Sequence, residues 1–587
     1  MDTFTAEEKQ ILERFFTNVD GPVFALKNLP EVVKGALFAR YSRSSKDLRR
    51  LFLDEFVRDA DRGVEAIRQE LERAGSRAEF PKTAGSAPFA DIDGTKAERL
   101  YDRIFTEYGD DSVAQLGGAH LACEDVSNVV TKVIERGRLM AYLEQSTRYI
   151  RYDTKKNGRY RYRCPPELEN RPEKSLFVET VESLFDAYAE MFDRVRLRLE
   201  QMYPKEADEP EAAYNASIRA KTCDILRGLL PAAAVSSVGI FGTGQAYERL
   251  LLRMFASPYG EARDYGRMML TELKKVIPSF VRRVEMPDRG GLWIDYLRDA
   301  EALAKKQASR FLTDSKAAGL GLPRLEGEAG PDAEQAQISG SKRGEASGVF
   351  RAEEPNVRLV DFDPDGERKI AAAILFEVSD ISLEEAKEIA SQMDAESLAS
   401  LIRAYAGRRA NRRHMPGRAF EATTYCFEIV SDYGAFRDLQ RHRMLTIEWQ
   451  PLTPQLGFSR PPLIEDLGEA PRWDASMERA ASAYLRLRPI ADLAASYVLP
   501  MAYRIRYVMR MNAREALYVI ELRTSEQAHP EYRSVCLNMA RLIEEVAQHR
   551  AVRSCFDFLG DKTESLERRK AELAAFERRT RGRTSTA

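Results

Sequence analysis

Cysteine, histidine and net charge are all scarce in this sequence, and each scarcity removes a class of function. Six cysteines, Cys123, Cys164, Cys223, Cys426, Cys536 and Cys555, are scattered over 587 residues with no CxxC pair. Five histidines, His120, His414, His442, His529 and His549, form no HExxH or other ligand-spaced pattern. A zinc site and a disulfide framework are therefore not expected, and no metal is assigned. Cys164 in RCPPE and Cys536 in an apolar stretch have no adjacent histidine, which leaves an activated cysteine nucleophile with little support. A net charge of −2 gives no global attraction to nucleic acid or to an anionic membrane, so any basic function must be local. The N-terminal MDTFTAEEKQILERFF is acidic and amphipathic where a secretory signal would be basic and then apolar, so the cytoplasm is the expected location. From Gly228 to Tyr247 the chain carries no charge, but Pro231, the glycines and the hydroxyls make the stretch only weakly apolar. A buried helix with a break is expected there, not a membrane span.

The length exceeds the roughly 250–300 residues at which a single core stops growing, so at least two domains are expected. Apolar content of 44% with 31% charge fits a soluble globular chain. The stretch AAGLGLPRLEGEAGPDAEQAQISGSKRGEASG lacks aromatics and cannot bury enough apolar surface to offset the entropy of ordering it. It reads as a flexible linker over 316–350 between bodies at 1–315 and 351–587. Apolar residues recur at helical spacing in LEEAKEIASQMDAESLASLIRAYAGRRA and in LRPIADLAASYVLPMAYRIRYVMRMNAREALYVIELR. Strand candidates are few, chiefly NVRLVDFD and ATTYCFEIVSD, and the expected class is α+β, rich in helix.

Two bodies across a linker invite a search for duplication. Each body has an RxR, then an LLP or VLP, then a leucine-rich helix ending in arginine; Pro231 to Arg253 spans 22 residues and Pro500 to Arg523 spans 23. Arg441, His442 and Arg443 could clamp a phosphate or a pyrophosphate, since guanidinium forks match such oxygens, although a solvated basic turn would look the same. EQSTRY, Glu144 to Tyr149, puts acceptors, hydroxyls and a guanidinium within six residues, suited to a nucleotide; its plain alternative is a polar helix end followed by a strand. In MNAREALYVIELR, Asn512 and Arg523 lie about three helical turns apart on nearly one side, as on a helix walling a polar site or on an ordinary amphipathic helix. GIFGTGQA lacks the third glycine of a dinucleotide loop and any GK[ST], and the basic tail LERRKAELAAFERRTRGRTSTA reads as a solvated terminal helix.

Taken together, RGRLMAYLEQSTRY, RGLLP, FEATTYCFEIVSDYGAFRDLQRHR, VLP and NAREALYVIELRTSEQAHPEYR resemble the flavin-dependent thymidylate synthases, the ThyX type or thymidylate synthase complementing proteins. The resemblance spans most of both bodies and implies two tandem copies of that fold, an antiparallel sheet with helices, forming a pseudo-dimer in one chain. It implies sites shared between copies. The flavin side, Arg441, His442, Arg443, Asn512, Arg514 and Tyr518, stands only in the second body. The nucleotide side, Glu144, Gln145, Ser146, Thr147, Arg148 and Arg227, stands only in the first, and Gln440, Arg441 and Arg523 would contact dUMP from the second. Gly137 replaces the motif histidine in the first body, while Trp449, Pro451, Thr453 and Ser496 replace Glu144, Ser146, Arg148 and Arg227 in the second. By resemblance the reaction is reductive methylation of dUMP to dTMP with FAD, NADPH and methylenetetrahydrofolate, with Arg523 as the catalytic cation. A member that has lost or altered catalysis while keeping FAD or a pyrimidine nucleotide is the alternative. Neither nucleic acid nor membrane is implied as a partner, and two chains are expected to associate as a pseudo-tetramer. Asp438 stands where the family often has a glutamine, Tyr518 where a smaller polar residue is usual, and Pro416 and Arg418 replace a Thr and a His.

Overall fold

The computed structural model describes residues 4–21, 115–317, 355–560 and 569–584, with parts of 24–57 and Leu566. All but the start of the linker expected over 316–350 lies outside the described residues.

One order of elements occurs twice. A short helix, α1 (Ala6–Phe15), precedes the first copy, which runs β1 (Gly118–Ser127), α2 (Asn128–Ile134), β2 (Met140–Glu144), α3 (Lys174–Met202), α4 (Glu211–Leu226), β3 (Val235–Thr243), α5 (Gly244–Ala256) and α6 (Gly260–Val276). After the long helix α7 (Leu292–Ala317) the second copy adds an edge strand, β4 (Asn356–Phe362), and three helices between residues 366 and 406. It then repeats the plan as β5 (Thr424–Asp432), α8 (Tyr433–Leu439), β6 (Thr446–Trp449), α9 (Ala470–Leu487), β7 (Arg504–Asn512), α10 (Ala513–Arg523) and α11 (Pro530–Glu545). The sheets are antiparallel, ordered β1-β3-β2 and β4-β5-β7-β6.

Four of these helices start directly from a strand, and each start is written in the sequence as a short polar residue. Ser127, Thr243, Asp432 and Asn512 accept a bond from the backbone N–H three residues on, opening α2, α5, α8 and α10. Each cap is worth about 1 kcal/mol.

The copies meet on a local two-fold. Pro231 faces Pro500 across an antiparallel bridge. The Ala232 N–H donates to the Leu499 carbonyl at 2.8 Å and Met501 to Leu230 at 2.9 Å. One step outward, Ala233 donates to Tyr497 and Ala502 to Gly228, both at 2.9 Å. Every bond has a partner related by exchanging the copies, the signature of an isologous contact. One core runs through the seam: Trp473 of α9 is fully buried, and a Cβ added at Gly228 would stand 2.8 Å from its ring, so the close approach needs the glycine. A second apolar cluster joins α1 to β1, β3 and α5.

Two expectations are corrected. The uncharged stretch from Gly228 to Tyr247 is not a broken helix; it is a 3-10 turn, strand β3 and the start of α5. Likewise the run from Leu487 to Arg523 is not one helical segment. Ile505, Tyr507, Met509 and Met511 point inward and the residues between them are more exposed, the period of two of a central strand with β5 and β6 on its flanks. Leucines on either side imposed helical spacing on a stretch whose interior alternates.

Candidate functional site

The site begins at Glu144, the last residue of β2, whose side chain is fully buried. Helix α8 of the other copy brings Arg437 and, just past its end, Arg441 onto one face four residues apart. Arg437 Nη2 donates to Glu144 Oε1 at 2.7 Å, and Arg441 Nη2 to Oε2 at 2.7 Å. Lys132, which α2 places at the position equivalent to Arg437, donates to Oε2 at 3.2 Å and to Glu135 at 2.6 Å. Burial alone would push the Glu144 carboxyl up, but Arg437, Lys132 and Arg441 hold it well below the usual range.

Beside this cluster lie the remaining arginines. Arg148 donates Nε to Asp224 Oδ1 at 2.5 Å, pairs through Nη2 with the second oxygen, and reaches the Tyr532 hydroxyl at 3.1 Å and the Gln527 carbonyl at 3.2 Å. Arg227, three residues after Asp224, pairs with Asp438 Oδ2 at 3.1 Å. Asp438 is half-buried, and Arg441, Arg227, Arg523 and Arg148 hold its carboxyl far below the usual range. Arg523, ending α10, donates Nε to His442 Nε2 at 2.8 Å and Nη2 to the Asp438 carbonyl at 2.5 Å, and stands 5.4 Å from the centre of the Tyr532 ring. Burial and the Arg523 cation push His442 well below its ordinary value. It is neutral, and accepting at Nε2 assigns its proton to Nδ1.

The site is over-supplied with donors. Arg227 Nη2, Arg437 Nε, Arg441 Nε and Arg443 Nη1 are enclosed with no acceptor. Enclosed cationic N–H groups without acceptors are costly, and they are matched when an anion occupies the site. Two small cavities adjoin Arg443 and Arg227. One of about 80 Å³ is lined by Glu135, Arg138, Gln440, His442 and Arg443. The other, about 190 Å³, lies beside Arg227 with Asp432, His529 and Glu531 on its wall. Burial and the neighbouring Asp432 push Glu531 up to about 7.

Of the residues singled out in the sequence, Glu144, Arg148, Arg227, Arg441, His442 and Arg523 converge. Gln440 and Arg443 line the smaller cavity, Gln440 donating to the Lys132 carbonyl at 3.4 Å and Arg443 lying 5.4 Å over the Tyr142 ring. Tyr518 makes an edge contact with His442, 5.8 Å between ring centres, and Thr147 is buried. The others are held elsewhere. Gln145 accepts from Arg161 at 3.0 Å, and Ser146 Oγ from the Arg148 N–H at 3.2 Å. Asn512 caps α10 by accepting from the Glu515 N–H at 2.8 Å, and Arg514 donates to the Pro416 carbonyl at 2.7 Å. The motif reading missed Lys132, Asp224, Arg437 and Tyr532. Spacing held a clue for two of them: Arg437 lies one helical turn before Arg441, and Asp224 one turn before Arg227.

Comparison with known proteins adds the family. The model of the thymidylate synthase complementing protein family, Thy1, matches residues 57–279 and 358–548. A "UPF0159 protein" of Chlamydia muridarum is 38% identical across 97% of this chain and 98% of its own length. A flavin-dependent thymidylate synthase of Clostridium tetani is 27% identical over 33% of this chain and 72% of its own length. Among solved structures, the UMP/dUMP methylase PolB of Streptomyces cacaoi bound with 5-Br dUMP aligns over 36% of this chain and 98% of its own, at 19% identity and a TM-score of 0.30. With both copies matched by one family model over more than half of the residues, the chain belongs to the thymidylate synthase complementing protein family.

Proposed function

We propose that the chain is an FAD-dependent thymidylate synthase that methylates dUMP to dTMP using methylenetetrahydrofolate and NADPH, with one composite site. The observation that carries this reading is the meeting of motif residues across the seam: Arg441 of the second copy on Glu144 of the first, and Arg227 of the first on Asp438 of the second. The equivalent positions of the opposite pairing hold Gly137, Trp449, Thr453 and Ser496, which offer no such charges. The boundaries 1–315, 316–350 and 351–587 and the association of two chains belong to the same reading.

The residues fit the charged part of the flavin cofactor. His442 and Arg443 line the cavity of about 80 Å³, room for a phosphate group, and Arg443 Nη1 and Arg441 Nε are enclosed without acceptors, so Arg441, His442 and Arg443 would hold the pyrophosphate. When bound, the reduced flavin supplies the hydride. Arg148 and Arg227 would take the nucleotide phosphate, exchanging Asp224 and Asp438 for it. Arg523 is positioned by His442 and the Asp438 carbonyl, and its Nη1 makes no hydrogen bond among the described residues. That edge can stabilise negative charge developing on the uracil ring. Neutral His442 fixes the guanidinium without competing for the same anion. Cys536 is pushed up to about 12 by burial, a poor nucleophile, which accords with a route that uses no thiolate.

One observation favours a second reading, a family member that binds its ligands without turnover: the fork of Arg148 is already taken by Asp224, and one arm of Arg227 by Asp438. Purified protein incubated with FAD, NADPH, methylenetetrahydrofolate and C5-tritiated dUMP separates the two. The leading reading expects yellow protein with about one FAD per chain, tritium release and dTMP formation. Saturable dUMP binding with no tritium release supports the second, and colourless protein that cannot be reconstituted with FAD sinks the first.

A further inference from the structure

The opposite pairing of the copies has not closed up. Where exchange of the copies would place a second site, a cavity of about 500 Å³ opens between Arg253 of α5, Tyr259, Tyr433, Trp449, Leu452 and Ser496. That volume falls in the range of small-molecule sites, about 300–1,000 Å³. It exceeds either cavity at the charged cluster.

Its charges are unbalanced by one. Lys132 is matched by Glu135 and Glu144, Arg136 by Glu448 at 2.6 Å, and Lys305 by Glu301 at 2.6 Å. Arg253 alone on the lining has no ion pair or hydrogen bond among the described residues, and its Nε and Nη2 are enclosed without acceptors. Burial and the neighbouring Arg136 and Arg249 push its pKa down, so the guanidinium sits in a field that favours an anion. A phosphate suits this lining poorly, because the positions of Arg148 and Arg227 are here Thr453 and Ser496, which leaves one cation for two charges. The rest of the wall is mostly aromatic or apolar, with Ser257, Gln450 and Ser496 as its uncharged polar side chains.

We propose that this cavity binds a singly charged organic carboxylate with an aromatic body, the carboxylate against Arg253 and the ring among Trp449, Tyr259 and Tyr433. The inference rests on the cavity and its unmatched cation and is independent of whether the charged cluster turns over dUMP.

The test titrates the full chain with benzoate and indole-3-acetate, and with benzamide and inorganic phosphate as controls, following thermal stability and tryptophan fluorescence. The two carboxylates should bind saturably and raise the unfolding temperature, with benzamide and phosphate at least about tenfold weaker, the scale of a charge-assisted pair. Arg253→Met should weaken carboxylate binding roughly ten- to hundredfold. Should that variant not fold, Ser496→Trp, which fills the cavity from the opposite wall, should abolish binding. Failure of both carboxylates to bind overturns the proposal, as does equal binding of benzamide or phosphate, or carboxylate binding that survives Arg253→Met or Ser496→Trp.

Discussion

Glu144 touches three cations, two of them from the other copy, and replacing it with glutamine tests how far the charged cluster ties the copies together. At roughly 4 Å between charge centres and an effective dielectric of about 20, each close pair is worth about 4 kcal/mol before desolvation. Burying the ions costs several kcal/mol apiece, which offsets most of that gain. Glutamine keeps the shape but removes the charge, leaving Arg437 buried and Lys132 with Glu135 alone. Breaking a buried pair on one side costs about 3–5 kcal/mol. At about 2–4 °C per kcal/mol for domains of 150–250 residues, Glu144→Gln should unfold roughly 6–20 °C lower. Circular dichroism melts across pH provide the assay. The folded-state pKa lies below the unfolded value, so the stabilisation is fully present above pH 4.5 and is lost as pH falls toward the folded pKa. The gap between wild type and variant should therefore be constant above about pH 5 and shrink below it. Adding Arg437→Met should recover part of the loss by removing one stranded cation. A shift of less than about 3 °C, or a double variant as unstable as the sum of the singles, would refute the central role given to Glu144.

Asp438→Gln removes the carboxylate that occupies Arg227, and dUMP affinity by calorimetry should rise roughly tenfold or more, one charge at 5–6 Å being worth about 2–3 kcal/mol; unchanged affinity would place the phosphate away from Arg227. Glu515 is pushed up to about 7 by burial, so it binds an extra proton in the folded state and its contribution fades as pH rises from about 4.5 to 7. Glu515→Gln should therefore match wild type near pH 4.5 and be more stable at pH 8, by about 3 kcal/mol, read from melts at the two pH values. Arg443→Ala removes an enclosed donor from the smaller cavity, and FAD retained through gel filtration should fall at least about tenfold, with nucleotide affinity less affected.

How much was legible in the sequence depended on whether the signal was local. The strands NVRLVDFD and ATTYCFEIVSD are local signals, and both stand where their residues put them. Strands β3 and β7 were hidden because each is central to its sheet and enters a leucine-rich helix with no loop between, so apolar spacing ran on across the junction. At the site, motif letters identified the arginines but not their partners. Asp224 and Tyr532 bind Arg148 from 76 and 384 residues away, distances over which no spacing rule operates. Asn512 carries two signals at once: it is a motif position, and its side-chain oxygen caps the helix that follows.

The paired backbone bonds around Pro231 and Pro500 have a consequence for dilution. A contact of this kind between separate chains would open as the protein is thinned, because partner encounter depends on concentration. Here both surfaces belong to one polypeptide, so each meets the other at a fixed local concentration, of order millimolar for a tether of moderate length. The seam should hold as well in a single molecule as in a concentrated solution. Each copy is then guaranteed its partner, and a residue lost from one copy needs replacing only once, on the other side of the same seam.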